Sequence, residues 1–177
     1  KSEGLEVVHK LLGQVDVLIH NFRPRVTKRY GLDYEDLAAI NPGLVYVHLS
    51  AYGSQGPYAD RPGYDLLAQA LSGMMHRSMP DGTPIGAGIW AADCATPIGL
   101  AYGIAVALLV RERTGKGQKI ETSLLQMAIA MQHVDLVRPA VEPPEGRAPA
   151  NQATFAPYCG LDGQWFLPAA VNDKEWV

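Results

Sequence analysis

Cysteine is scarce in this 177-residue chain: only Cys94 and Cys159 occur. Two are too few for a disulfide framework or, by themselves, for a four-ligand zinc site. The five histidines, at positions 9, 20, 48, 76 and 133, never fall in a paired ligand spacing such as HxxxH, so no metal is expected. Long runs of one charge are also missing. With 15 Lys+Arg against 18 Asp+Glu, a net charge of −3, the chain offers neither a basic glove for nucleic acid nor an acidic tail. The most apolar segment, residues 95–110, is shorter than the roughly 20 residues a membrane span needs. Pro97, Gly99 and Gly103 interrupt it, and a buried helix is the expectation.

What remains is the composition of a soluble globular protein. Hydrophobic residues make up 47%, and the length suits one ordinary domain with a sizeable core. Free cysteines and the absence of a disulfide pattern suit a reducing compartment, so a cytoplasmic location is expected. The chain opens Lys1-Ser2-Glu3-Gly4 and stops at Lys174-Glu175-Trp176-Val177, at what reads as the start of an element. It therefore reads as part of a longer chain.

Periodicity predicts an α/β order. Leu5, Val8, Leu11 and Leu12 recur at helical spacing, with Gly13 closing the segment. Residues 15–19 form a β-branched run typical of a strand covered on both faces. Pro24 opens a short helix through Tyr30, and Asp33 is placed to cap a second one over 34–40. Residues 44–49 read as the next strand, followed by the loop 51–57. A helix is expected over 64–74 with Leu66, Leu67, Ala70 and Leu71 on one face, then a Gly/Pro loop over 75–88. A long helix ends in basic residues with glycines beyond. Residues 119–123 read as a strand, 124–137 as a helix, 138–150 as a connector, and 155–170 as two short strands about Leu161-Asp162-Gly163-Gln164. Such alternation favours a parallel, Rossmann-like sheet with covering helices. Its functional loops gather at the carboxyl ends of the strands, where Asn21-Phe22-Arg23 and 50–56 fall.

Asp93 is the most interesting ionisable residue, because its neighbours are small and apolar. A carboxylate there can cap the long helix or act as a poorly solvated nucleophile. Spacing alone favours the cap. Cys94 reads as a small core residue. Arg23, Arg25, Lys28 and Arg29 form a basic cluster, either a solvated helix face or a cradle for phosphates. Thr114-Gly115-Lys116-Gly117 is not a phosphate loop: it lacks the first glycine and the Ser/Thr after Lys, and it follows a helix.

Asp16-Val17-Leu18-Ile19-His20-Asn21-Phe22-Arg23-Pro24 resembles the family III CoA-transferase (CaiB/BaiF) signature "DVLxENFRPG". The resemblance continues through Tyr30-Gly31-Leu32, Asn41-Pro42-Gly43, Ser50-Ala51-Tyr52-Gly53-Ser54-Gln55-Gly56-Pro57, Arg61-Pro62-Gly63-Tyr64-Asp65, Ala92-Asp93 and Arg113-Thr114-Gly115-Lys116-Gly117-Gln118. It reaches Pro157-Tyr158, Asp162-Gly163 and Asn172-Asp173, and so spans almost the whole chain.

The resemblance implies an interlocked homodimer that moves CoA between an acyl-CoA and a small carboxylic acid, with CoA as co-substrate and no tightly bound cofactor. It implies Asp93 as the nucleophile, in an apolar setting kept from bulk water, reversing the preference for a cap. It places Asn21, Phe22, Arg23 and Arg29 against CoA, and Ala51, Tyr52 and Gly53 along the pantetheine arm. Residues 1–137 then belong to the CoA-binding domain, 138–154 to a connector and 155–177 to the start of a smaller domain. Residues 148–154 lack consecutive glycines, against a formyl-CoA:oxalate specificity. The related α-methylacyl-CoA racemases have a His where Tyr64 stands, and a phenol is a weaker base than imidazole at neutral pH. A racemase-type epimerase and an inactive CoA-binding fragment are the alternatives.

Overall fold

The structure, a computed structural model, describes residues 2–76, 81–133 and 157–168. The chain divides into two units, Lys1–Leu136 and Val137–Val177. The connector expected over 138–154, the glycine-poor stretch within it and Asn172-Asp173 lie outside the described residues.

The first unit runs α1 (Ser2–Leu12), β1 (Val17–His20), α2 (Pro24–Tyr30), α3 (Tyr34–Ile40), β2 (Val45–Ser50), α4 (Asp65–Leu71), a 3₁₀ turn (Met74–His76), α5 (Ala91–Thr114), β3 (Lys119–Ser123) and α6 (Leu124–Met131). The three strands form a parallel sheet in the order β1-β2-β3, as the alternation predicts. In the second unit β4 (Tyr158–Cys159) pairs antiparallel with β5 (Trp165–Phe166) about the expected turn.

Side chains on the central strand β2 alternate between two cores. Leu44 and Tyr46 pack with Leu12 and Leu37 on the face covered by α1 and α3. Val45 and Val47 pack with Leu100 and Ala107 of α5 on the other. Full burial of each such aliphatic side chain is worth about 1.5–3 kcal/mol. Among the described residues only β2 is covered on both faces as that pattern demands; β1 is an edge strand in this sheet, and Ile19 is 58% exposed. The reason is position: a strand at the rim lacks a neighbour along one side. Pro24 opens α2 as expected. Asp33 precedes α3, but its side chain makes no capping hydrogen bond.

Two expectations about helices are corrected. The 24-residue α5 is long and apolar enough, by length and composition, to cross a membrane. Instead it lays Leu100 and Ala107 on the sheet and exposes Ile98, Tyr102, Val106, Leu109 and Val110. It is a packed helix covered on one side only, not a buried one. The α4 helix turns its polar face inward. Asp65, Ala68 and Gln69 are buried while Leu66, Leu67 and Leu71 are exposed. Hydrophobic spacing could not foresee this, because buried hydrogen bonds decide which face turns in.

The ends of α5 follow local rules. Gly115, at φ 72°, caps its carboxyl end and donates to the Arg111 carbonyl at 2.7 Å. Arg111 reaches back to the Asp16 carboxylate at 2.9 Å and the Gly43 carbonyl at 3.2 Å, tying α5 to the entries of β1 and β2.

Candidate active site

All three parallel strands deliver their carboxyl ends to one cleft of about 340 Å³. After β1 come Asn21 and Arg23; after β2, Ala51 and the segment 59–64; after β3, Leu124. Asp93 enters the same cleft from the first turn of α5. Four of the residues singled out by sequence, Asp93, Asn21, Arg23 and Ala51, are therefore neighbours despite separations of up to 72 positions along the chain.

Asp93 is not the cap of its helix. The helix begins at Ala91, the cap position is Trp90 with no side-chain capping bond, and Asp93 is the third helical residue. Its backbone N–H donates to Asp65 Oδ2 at 2.8 Å. Asp65 is 1% exposed and also accepts a hydrogen bond from the Gln69 amide. Desolvation, and next the negative charge of Asp65, push the Asp93 carboxyl above its ordinary value. The side chain is nonetheless exposed. The expected shelter from bulk water is not provided by the described residues, because its apolar neighbours in sequence point elsewhere: Ala91 and Ala92 turn into the core and leave Asp93 facing out.

The cationic groups of the cleft are Arg23 and Arg61. Arg23 Nη1 donates to the Asp60 carbonyl at 3.4 Å, and the Arg61 guanidinium lies 4.5 Å from the centroid of the Tyr58 ring. Gly63 lets two loops close together. A Cβ built on it would lie 2.4 Å from Ala51 Cβ and 2.8 Å from the Tyr52 ring.

The other residues singled out lie outside the lining of this cleft. Tyr52 and Gly53 line an adjoining hollow with Ser54, Glu121 and Gln126. Gly53 has φ 94° and donates to Ser50 Oγ at 2.9 Å, a turn that disfavours any side chain. Phe22 faces an apolar hollow between α1 and α2. Arg29 is in the last turn of α2, with its guanidinium 5.5 Å from the centroid of the Tyr30 ring.

Beneath the loop after β1 lies a polar network that sequence reasoning missed. His48 contacts Glu121 Oε1 at 3.0 Å through Nδ1 and the Phe22 carbonyl at 2.9 Å through Nε2. Both partners are acceptors, so the two bonds form together only when the ring carries both protons. Burial alone would raise the Glu121 carboxyl, but hydrogen bonds from His48, Lys119 and Ser54 bring it down to about 2. His20 stacks on His48 with ring centroids 5.0 Å apart and accepts the Phe22 N–H at 3.2 Å. Burial, then the positive charge of His48, push His20 down to about 4. No spacing links positions 20, 48 and 121; strand pairing alone sets His20 beside His48 and His48 beside Glu121. Arg61 and Asp65 were visible as motif residues, but only the fold assigns them places.

The family model described as CoA-transferase family III matches residues 1–177. The chain belongs to that family. It is 41% identical over 162 residues to the acetyl-CoA:oxalate CoA-transferase of Acetobacter aceti, covering 89% of this chain and 41% of the relative. It is 42% identical over 182 residues to the succinate–glutarate CoA-transferase of Agrobacterium fabrum, covering 98% of this chain and 44% of the relative. A solved CaiB/BaiF family protein from Brucella suis superposes with a TM-score of 0.73 at 35% identity, covering 99% of this chain and 48% of that one. The chain spans less than half the length of these relatives. For a family III member, the mixed fold and the parallel sheet are the expected architecture, as the resemblance in sequence implies.

Proposed function

We propose that the protein containing this chain transfers CoA between an acyl-CoA thioester and a carboxylic acid, with Asp93 as nucleophile. The observation that carries the proposal is the single cleft in which Asp93 meets Asn21, Arg23 and Ala51 at the carboxyl ends of the sheet. The Asp93 carboxylate attacks the thioester carbonyl, the C–S bond breaks, and CoA leaves as a thiolate from a mixed anhydride. The thiolate then attacks the aspartyl carbonyl and expels the first acid as its carboxylate, leaving an aspartyl-CoA thioester. The incoming carboxylate runs the same two steps in reverse, so no net proton is consumed.

Arg23 supplies paired donors to the CoA phosphates, with Arg29 on the same helical approach. Asn21 and Phe22 border the nucleotide, while Ala51, Tyr52 and Gly53 line the pantetheine arm. CoA is a co-substrate here, and the group requires no resident cofactor. The names of the relatives include oxalate and glutarate, so the proposal stops at a small carboxylic acid. Both acyl intermediates hydrolyse in open water, so the exposed Asp93 needs a cover. A second subunit in an interlocked homodimer, or the rest of the longer chain, would supply it and cover the apolar faces of α4 and α5. A cytoplasmic location accords with the free thiols of Cys94 and Cys159.

The test is to incubate the full-length enzyme with acyl-CoA and hydroxylamine and map the adduct by mass spectrometry. A hydroxamate on Asp93 is expected; an active enzyme with Asp93 unmodified refutes the mechanism. Deuterium wash-in at the α-carbon of a 2-methylacyl-CoA would instead reveal an epimerase, and none is expected.

A further inference from the structure

The start of α5 is held together by a buried arrangement that the transfer chemistry has not yet used. A helix leaves its first N–H groups without partners inside the helix, and Trp90 offers no capping side chain. Asp65 Oδ2, from α4, takes the N–H of Asp93 at 2.8 Å. Gln69, which is 0% exposed, spends its amide on fixing Asp65. Its Nε2 donates to Asp65 Oδ1 and to the Ile89 carbonyl at 2.9 Å, while its Oε1 accepts the Ala87 N–H at 2.9 Å. Both hydrogens and the oxygen of the amide are committed, so Gln69 cannot flip without breaking the set. No Lys, Arg or His makes a salt bridge to Asp65 among the described residues.

A carboxylate this deeply buried without a cation is costly unless the structure uses its charge or its hydrogen bonds. We propose that Asp65, clamped by Gln69, is a positioning residue for Asp93: it fixes the backbone from which the nucleophile projects and sets a negative charge behind it. This rests on the reading of Asp93 as nucleophile. The clamp joins α4, the loop 86–89 and the first turn of α5, so the carboxylate is aimed before substrate arrives. The negative charge behind Asp93 makes its carboxylate a better electron donor and raises its affinity for a proton, the direction already seen for this group. The charged groups that face Asp93 are Asp65 from α4 and, on the cleft side, Arg23 after β1 and Arg61 in the loop before α4. The arginines oppose Asp65, and engaging them with an anionic substrate leaves its influence on Asp93 uncompensated.

The experiment uses the full-length protein and Asp65→Asn, which retains one oxygen for the Asp93 N–H but removes the charge and sets its NH2 against the Gln69 amide hydrogens, so the clamp that aims Asp93 is broken. The ¹³C resonance of the Asp93 carboxyl, assigned with Asp93→Asn, is followed against pH in parent and variant. The titration midpoint is expected at lower pH in the variant. The kcat of transfer is expected to fall about tenfold or more, with the KM for acyl-CoA changed by less than about threefold, because aim is lost and binding is not. An unchanged midpoint, or a kcat within about twofold of the parent, overturns the proposal; a merely structural residue would lower the melting temperature and leave the midpoint in place. If the parent protein transfers no CoA, the mechanism falls while the carboxyl titration still decides the coupling. Asp65→Ser, which removes the charge and leaves room for a water to take the same N–H, provides the same readout should Asp65→Asn fail to fold.

Discussion

Gly63→Ala puts one methyl group where two site loops meet. Carbon atoms in contact sit about 3.5–4.0 Å apart, whereas the added Cβ would lie 2.4 Å from Ala51 Cβ and 2.8 Å from the Tyr52 ring. One side must move by roughly 1 Å or more, on that contact distance. Ala51 is poorly free to do so, because its carbonyl accepts the Leu125 N–H at 3.0 Å and anchors the loop to α6. Overpacking of this kind costs about 1–3 kcal/mol. A 1 Å misplacement within an active site costs up to about a hundredfold in rate, and on the proposed reading this loop lines the pantetheine arm. The expected outcome is a kcat/KM for CoA transfer lowered by about 10–100-fold in protein that circular dichroism shows to be folded. Gly99→Ala is the internal control. Its Cβ meets only Met127, at 2.9 Å from Cε, and a flexible thioether end yields easily. It should melt within about 1 kcal/mol of the parent and retain activity. Parent-like kcat/KM and melting in Gly63→Ala would refute the claim that this contact shapes the site.

Two further outcomes concern stability. Gly117→Ala should lose about 2–3 kcal/mol in urea unfolding, since its Cβ would lie 2.0 Å from the Leu44 carbonyl oxygen, in backbone that cannot turn aside; a loss under about 0.5 kcal/mol would show that the entry to β2 is plastic. His20 is held neutral by the fold, at about 4 against 6.5 unfolded. The unfolded chain therefore binds the extra proton first, and stability present above pH 6.5 is lost as the pH falls towards about 4. The interval is worth at most about 3–4 kcal/mol, and partial solvent access reduces it to about 1–2. His20→Gln should flatten the unfolding free energy measured between those pH values, and an equally steep curve in the variant would sink the assignment.

Local chemistry accounts for much of what could be read in advance. Pro24 starts a helix because its fixed φ and missing N–H suit a first turn, and Gly115 ends one because it accepts a positive φ. The β-branched runs and their alternation with helical periods imply a parallel sheet before any contact is known. The motifs around Asn21, Ala51 and Asp93 point to family III, since each is a short stretch of adjacent residues. The inward face of α4 was not legible. Its leucines have the pattern of a core face, yet Asp65 and Gln69 turn inward because their hydrogen-bond partners lie on α5 and the loop before it. The edge position of β1 and the one-sided cover of α5 were equally hidden, because periodicity reports which side chains avoid water, not which neighbours are there to shield them.

The scarcity of cysteine, the absence of paired histidines and the balanced charge are properties of the sequence alone, and the motifs by themselves determine the family and name the residues to look for. Tertiary structure decided the rest: that Asp93 lies inside its helix and is exposed, that a buried carboxylate from another helix holds its backbone, and that two histidines and Glu121 share one network. Those are relations between residues 26 to 73 positions apart, and they exist only once the parallel strands have set their register.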